Sequence, residues 1–373
     1  MQLSVVILNY NVRYFLAQCV LSVQKAIQNL DAEIIVVDNN SPDDSVAMMR
    51  SRFPDVTLIA NTENLGFPKG NNIGVAQARG EYICILNPDT VVAEDTFEKV
   101  LAFAQTKPDL GIVGVKLIDG IGKFLPESKR GIPTPWTALG KITGFSKGKY
   151  YAAHLGENET GKVEILVGAF MVMKRELYHQ VGGFDENCFM YSDDIDLSYT
   201  VLKSGKSNYY FGDTSVIHYK GESTVKDALY MKRFQEAMDF FYKKHFRKSF
   251  VFDLFMKIGA YFFALKKAKN PEKSRREYAH ALISEDDDLP FDLRPSLPGH
   301  YQFFTLESVK QARGFKVLFD AEMLSFKQII DMMERLADLR MVFRIVHKND
   351  GYLIGSDSSN DRGEVVTFAT RRE

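Results

Sequence analysis

Short segments dominated by apolar residues alternate along the chain with segments whose apolar positions recur every three or four residues. Residues 5–8, 33–37, 57–60 and 82–86 have the length and composition of buried strands, while residues 15–27, 45–52 and 71–78 carry helical spacing between them. That rhythm predicts parallel strands in one sheet with helices against its faces. Ligands of open α/β sheets gather at the carboxyl ends of strands, and Asn9, Asp38, Asn64 and Asp89 fall there.

Between residues 119 and 162 the periodicity dissolves into Gly, Pro, Lys and Ser, which predicts a long segment, with Arg130 and Trp136, reaching over the site. Order resumes over 163–174, residues 189–198 open a helix that ends near Gly205, and a last strand near 208–211 precedes Ser215-Val-Ile-His218. From residue 230 to 269 the chain turns aromatic and basic. Its broad apolar face, flanked by Lys and Arg, suits either an interfacial membrane helix or a helix packed on the main domain. An acidic, proline-rich break over 285–298 then sets off a tail whose segments 316–319, 326–337, 342–346 and 352–354 predict a small β-α-β-β unit without evident chemistry. The expected organisation is a main domain over 1–225, an amphipathic helical region over 226–284, a linker over 285–300 and an α/β appendage over 301–373.

Composition narrows the function. Lys plus Arg number 47 against 48 Asp plus Glu, a formal net charge of −1 that gives no electrostatic footprint for nucleic acid. The three cysteines, Cys19, Cys84 and Cys188, are far apart and lack metal spacing, so free thiols in a reducing compartment are expected. The first ten residues carry no basic leader and no run of about 18 apolar residues occurs, so the expectation is a cytoplasmic protein without a spanning helix.

The stretch Asn64-Leu-Gly-Phe-Pro-Lys-Gly-Asn-Asn-Ile-Gly74, followed by a strand that ends on Asn87-Pro-Asp89, suits a site that holds a diphosphate through a cation. Asp193, Asp194 and Asp196 crowd a helix start, where acids favour the macrodipole and Ser192 suits a cap. Crowded carboxylates also raise one another's pKa, as a general base requires.

Taken in order, Val6-Ile-Leu-Asn-Tyr-Asn11, Val37-Asp-Asn-Asn-Ser41, Asn64 to Asn72, Leu86-Asn-Pro-Asp89, Val181-Gly-Gly-Phe-Asp-Glu186, Tyr191-Ser-Asp-Asp-Ile-Asp-Leu197 and His218-Tyr-Lys-Gly-Glu-Ser-Thr224 resemble the signatures of inverting family 2 glycosyltransferases, especially the rhamnosyltransferase-like branch. The resemblance covers residues 1 to about 225 and implies a GT-A fold, a Rossmann-like mixed α/β sheet flanked by helices. It implies that Asp38 accepts the imide N–H of a uracil or thymine base, that Asn9 and Asn11 line the nucleoside pocket, and that Asn64, Gly66, Gly70 and Asn72 approach sugar and phosphates. Asp89 resembles the last acid of the Asp-X-Asp metal motif, with Asn87 in place of the first. His218 resembles a second contact to Mn2+ or Mg2+. Asp194 resembles the catalytic base with Asp193 its neighbour, and Asp196 anchors the loop.

The implied partners are a nucleoside-diphosphate sugar, thymidine-diphosphate rhamnose by the branch, and a saccharide acceptor. If the region around residues 250–267 binds membrane, the acceptor is lipid-linked at the cytoplasmic face, in bacterial surface-polysaccharide assembly. Two rivals remain. A sugar nucleotidyltransferase would want a glycine-rich basic loop where Asn9-Tyr-Asn-Val-Arg13 stands. An inactive sugar-binding subunit of a membrane assembly would not need the Asp38, Asp89 and Asp194 set.

Overall fold

The computed structural model describes residues 1–134, 150–220, 228–246, 279–283, 301–303, 314–358 and 363–369. Trp136, the apolar stretch around 250–267 and the proline-rich break lie outside the described residues.

The first sheet begins as the sequence predicts. β1 (Leu3–Asn9) pairs in parallel with β2 (Ala32–Asp38) and β4 (Tyr82–Leu86), and β2 pairs in parallel with β3 (Thr57–Ala60). Every residue of β1 is buried because helices cover both faces of the sheet. Alternate side chains divide between two cores: Leu3, Val5 and Ile7 pack with α1 (Arg13–Ala26), while Val6 and Leu8 pack on the side of α3 (Gly66–Gln77). α2 (Ser45–Arg52) completes this half.

Two elements that the opening pattern did not single out follow, α4 (Thr96–Gln105) and the fully buried β6 (Leu110–Ile118), with a two-residue strand β5 (Thr90–Val91) before them. Antiparallel β8 (Phe170–Lys174) joins β4 to β6, and the long β9 (Ser207–His218) runs parallel to β6 with register shifts. The sheet is therefore mixed, in the order β3-β2-β1-β4-β8-β6-β9-β5, with β7 (Gly161–Val163) on β9. The single strand β9 replaces the expected strand and separate tail, and its final residue, His218, pairs with Thr90. α5 (Arg175–Gln180) and α6 (Asp193–Lys203) flank it. The predicted loop over 119–162 is tied down at its described ends, where Arg130 and Ile165 exchange backbone hydrogen bonds of 2.9 Å.

α7 (Ala228–His245) packs on this domain over its described side chains: Phe241 and Tyr242 are buried against Ile165 and Ile195, and Lys244 and His245 bind Asp196 at 2.8 and 2.6 Å. Asp196 is thus an anchor, and the anchored element is a helix. Residues 279–283, expected within the helical region, instead form β10 (Ala279–Ile283) of a second sheet, ordered β11 (Tyr301–Phe303), β10, β12 (Phe315–Asp320), β13 (Val342–His347), β14 (Tyr352–Ser356) and β15 (Glu364–Thr367).

The predicted β-α-β-β unit is the core of that sheet, with α8 (Phe326–Leu336) as its helix. The unit is no loose appendage, because Phe326, Ile329, Ile330 and Met333 share one continuous core with α1 and α4. Glu94 accepts from the backbone N–H groups of Phe326 and Lys327 at 2.8 Å each, a carboxylate set where a helix dipole favours it. Among the described residues no helix is long and apolar enough to cross a membrane.

Candidate active site

The carboxyl ends of β1 and β2 meet in a polar corner. Asp38, 1% exposed, accepts hydrogen bonds from Ser41 N–H (2.9 Å), Ser41 Oγ (2.6 Å) and Asn9 Nδ2 (2.7 Å). Asp38 thereby holds the turn that follows β2, and the Ser41 Oγ also accepts from the backbone N–H of Asn11, which lies at φ 59°. Asn9 Oδ1 is buried and has no partner among the described residues, an acceptor left over beside Asp38.

Asn39 carries this corner to the glycine loop, its Nδ2 donating to the carbonyl of Gly66 at 3.0 Å. Asn64 Oδ1 accepts the Gly66 N–H at 3.0 Å, and Gly66 sits at φ +79° under the Phe189 ring, where a Cβ would come within 2.8 Å. Two expected members of the loop do other work. A Cβ on Gly70 would meet Leu8 at 2.4 Å, so this glycine lets α3 lie close on β1. Asn72 spends its amide on Phe184 O, Glu186 and Tyr178, clasping the 182–186 loop to α3. Gly70 thus has a packing role, and Asn72, half-buried, ties the 182–186 loop to α3.

At the end of β4 the chain brings Asn87, Asp89 and His218 together. His218 Nε2 lies 3.4 Å from Asp89 Oδ1 and 3.3 Å from Asn87 Nδ2, and Asp89 and His218 are each 6% exposed. These separations are long for hydrogen bonds and close to the ~3 Å spanned at right angles by two ligands each about 2.1–2.2 Å from one cation. Asp89 and His218 offer two ligand atoms that fit one divalent cation, while Asn87 turns its amide nitrogen toward His218.

The carboxylate pair opens α6. Asp194 Oδ2 accepts from Arg130 at 2.5 Å and from the Gly168 N–H at 3.1 Å. Burial first, then the charge of Asp194, push the Asp193 carboxyl from its ordinary 3.8 up to about 7. The adjoining Ala169 carbonyl accepts the Asn87 N–H at 3.0 Å. The segment Gly168–Ala169 therefore bonds both groups and sets the carboxylate pair beside the Asn87–Asp89–His218 cluster.

Residues 4–182 match the model of Glycosyl transferase family 2. They are a family 2 glycosyltransferase domain. The N-acetylglucosaminyl-diphospho-decaprenol L-rhamnosyltransferase of Mycobacterium tuberculosis is 27% identical over 241 residues, 57% of this chain and 73% of that protein. Rhamnosyltransferase WbbL of Escherichia coli is 26% identical over 212 residues, 53% of this chain and 78% of its own. A solved structure of GalNAc-T7 with UDP, GalNAc and Mn2+ shares the fold at TM-score 0.50 and 19% identity, over 65% of this chain and 50% of that one. The glycosyltransferase domain thus has the GT-A fold and rhamnosyltransferase-like relatives.

Within the glycosyltransferase domain, several residues act as connectors whose partners the sequence did not indicate. Ser41, Asn39 and Gly168 join the pieces of the site, and Arg130, 64 positions from its partner, pairs with Asp194. No local pattern could have announced those pairings. The thiols stay outside the chemistry: all three are free and buried, and burial pushes Cys19 up to about 12.

Proposed function

We propose that this chain transfers a sugar, with inversion at its anomeric carbon, from a nucleoside-diphosphate donor to a hydroxyl of a saccharide acceptor. The observation that carries the proposal is the Gly168–Ala169 bridge, which puts a buried carboxylate pair next to a cation-competent cluster at the strand ends of a glycosyltransferase domain. In this reading Asp38 and the unpartnered Asn9 Oδ1 offer two buried acceptors for the imide N–H of a uracil or thymine base. Asn11, Asn64 and the backbone at Gly66 border the donor.

Asp89 and His218 hold Mn2+ or Mg2+, which when bound neutralises charge on the departing diphosphate. The acceptor proton passes to the Asp193–Asp194 pair. Asp194, the expected base, carries the Arg130 ion pair, while Asp193 has its proton affinity near neutral pH. Catalysis needs both: one supplies the charge that tunes the other.

Thymidine-diphosphate rhamnose is the proposed donor and a lipid-linked saccharide the proposed acceptor, supported by the names of the two rhamnosyltransferase relatives. The corresponding place is the cytoplasmic face of a bacterial inner membrane, in cell-surface polysaccharide assembly. The deciding experiment is binding of a nucleotide-sugar panel with and without Mn2+, read by thermal shift and followed by turnover with the donor that binds. A metal-dependent shift with one uridine or thymidine donor, followed by transfer, is expected. Binding without transfer to any saccharide would favour the inactive sugar-binding subunit, and no binding would remove the donor site.

A further inference from the structure

The C-terminal sheet lies beyond the residues matched by the family model, yet it reaches the donor site through a buried polar chain. His347 closes β13 and is 2% exposed; its Nε2 lies 2.9 Å from Gln18 Oε1 on α1. Gln18, 1% exposed, donates through Nε2 to the Tyr219 hydroxyl at 3.3 Å. Tyr219 follows His218 directly, and its backbone N–H donates to the carbonyl of Asp89 at 3.0 Å. Burial, and then the charges of Arg52 and Lys25, hold the His347 ring far below its ordinary proton affinity, so it is neutral and donates to Gln18 through a single N–H.

The Tyr219 ring is fixed from two further sides. Phe15 of α1 meets it edge-on at 5.2 Å, and a Cβ on Gly120 would come within 2.9 Å of the ring and 2.8 Å of Ser356, at the end of β14. Buried polar side chains cost free energy unless they are fully paired, and a simple docking face could be made of apolar groups alone. Here a polar chain of three side chains leads from the second sheet to the residue beside His218.

Building on the donor-site reading above, we infer that the C-terminal α/β unit is a positioning element of the glycosyltransferase. Through His347, Gln18 and Tyr219 it sets the end of β9, and with it the spacing of His218 from Asp89. These three are positioning residues and touch neither donor nor cation. The unit then tunes cation-dependent donor binding in a way that the domain of residues 1–225 alone does not.

The test uses the full chain and calorimetric titration with dTDP and UDP, each with Mn2+ and with EDTA. Tyr219→Phe removes one hydroxyl, and Gln18→Leu removes the middle link at similar volume. Each should weaken Mn2+-dependent nucleotide binding about 3–10-fold, the order expected for one hydrogen bond in a supporting shell, and leave binding in EDTA unchanged. The double variant should lose no more than the worse single one, because the links act in series. His347→Asn should restore part of the loss seen in His347→Ala. Thermal unfolding of the metal-free proteins separates loss of fold from loss of positioning. Variants that melt lower but bind dTDP–Mn2+ or UDP–Mn2+ as the parent does would overturn the inference and leave the donor site standing. A parent chain with no metal-dependent nucleotide binding would remove both.

Discussion

Two clusters of titratable residues sit at carboxyl ends of parallel strands among the described residues, and they differ in how their charges are matched. In the first sheet the ends of β1, β2 and β4 present Asp38 and Asp89, with Asp193 beside them. Among the described residues no Lys or Arg lies within ion-pair distance of these three carboxylates, although Arg130 clamps the neighbouring Asp194; Asp38 is held by neutral donors and Asp89 lies beside His218. In the second sheet the ends of β12 and β13 present Asp320 and His347, and Glu322, His347 and Asp350 bring potential metal-ligating atoms within 4.8 Å of one another. Protein cations fill that place. Lys348 pairs with Asp320 at 2.7 Å, Arg52 pairs with Asp350, and Lys25 donates to the carbonyl of Ala321 at 3.3 Å. A strand-end crevice is a property of the fold, and its use depends on which charges the protein leaves unmatched.

The largest expected effect breaks the front cluster. Asp194→Asn should lower turnover by about 10²–10⁴-fold with donor binding retained, measured by single-turnover assay and calorimetry. Full activity would remove the carboxylate pair from the mechanism. Asp89→Ala should weaken Mn2+-dependent nucleotide binding by about 100-fold, the upper end of what outer-shell changes cost at a metal site, and an unchanged affinity would break the comparison at its centre.

Asp193→Asn sharpens the contrast through pH. Because the folded-state pKa of Asp193 is raised from 3.8 to about 7, its carboxyl favours the fold most below about pH 4 and loses that contribution as pH rises toward 7. The variant, which stays neutral, should melt higher than the parent at pH 8, by about 2–8 °C, and by less at pH 5. In the parent, turnover should fall as pH drops below about 7. The smallest effect belongs to the back cluster. Asp350→Asn breaks an ion pair with Arg52 in which each side chain is 24% exposed, worth about 0.2–1 kcal/mol, so melting shifts slightly and turnover holds. A large loss of activity there would mean that the second cluster also does chemistry.

What could be read from the chain depended on how local the information was. The strands of the first half, the helix that opens at Asp193 and the β-α-β-β order of the tail were all legible, because apolar periodicity is a property of consecutive residues. Asp38 and Asp89 could be placed at one edge because a parallel sheet delivers its strand ends there; Asp194, which opens α6, was singled out only by the family resemblance. The packing partners of Gly70 and Asn72, Leu8 and the 182–186 loop, were not legible, because they lie far from the loop motif in sequence.

The sequence by itself determined the α/β order, the family signatures and the set of acidic residues that stand at the site. Tertiary structure alone decided which of them is buried toward a neutral form and which is clamped, since Arg130 finds Asp194 only when the segment after β6 folds back. It also decided that α7 packs over its described side chains on the domain, and that the tail is joined by one core to α1 and α4. The physical reason is that amphipathic faces record in sequence only that they need a partner. Which partner covers them, and which polar groups that contact traps, is settled by long-range packing.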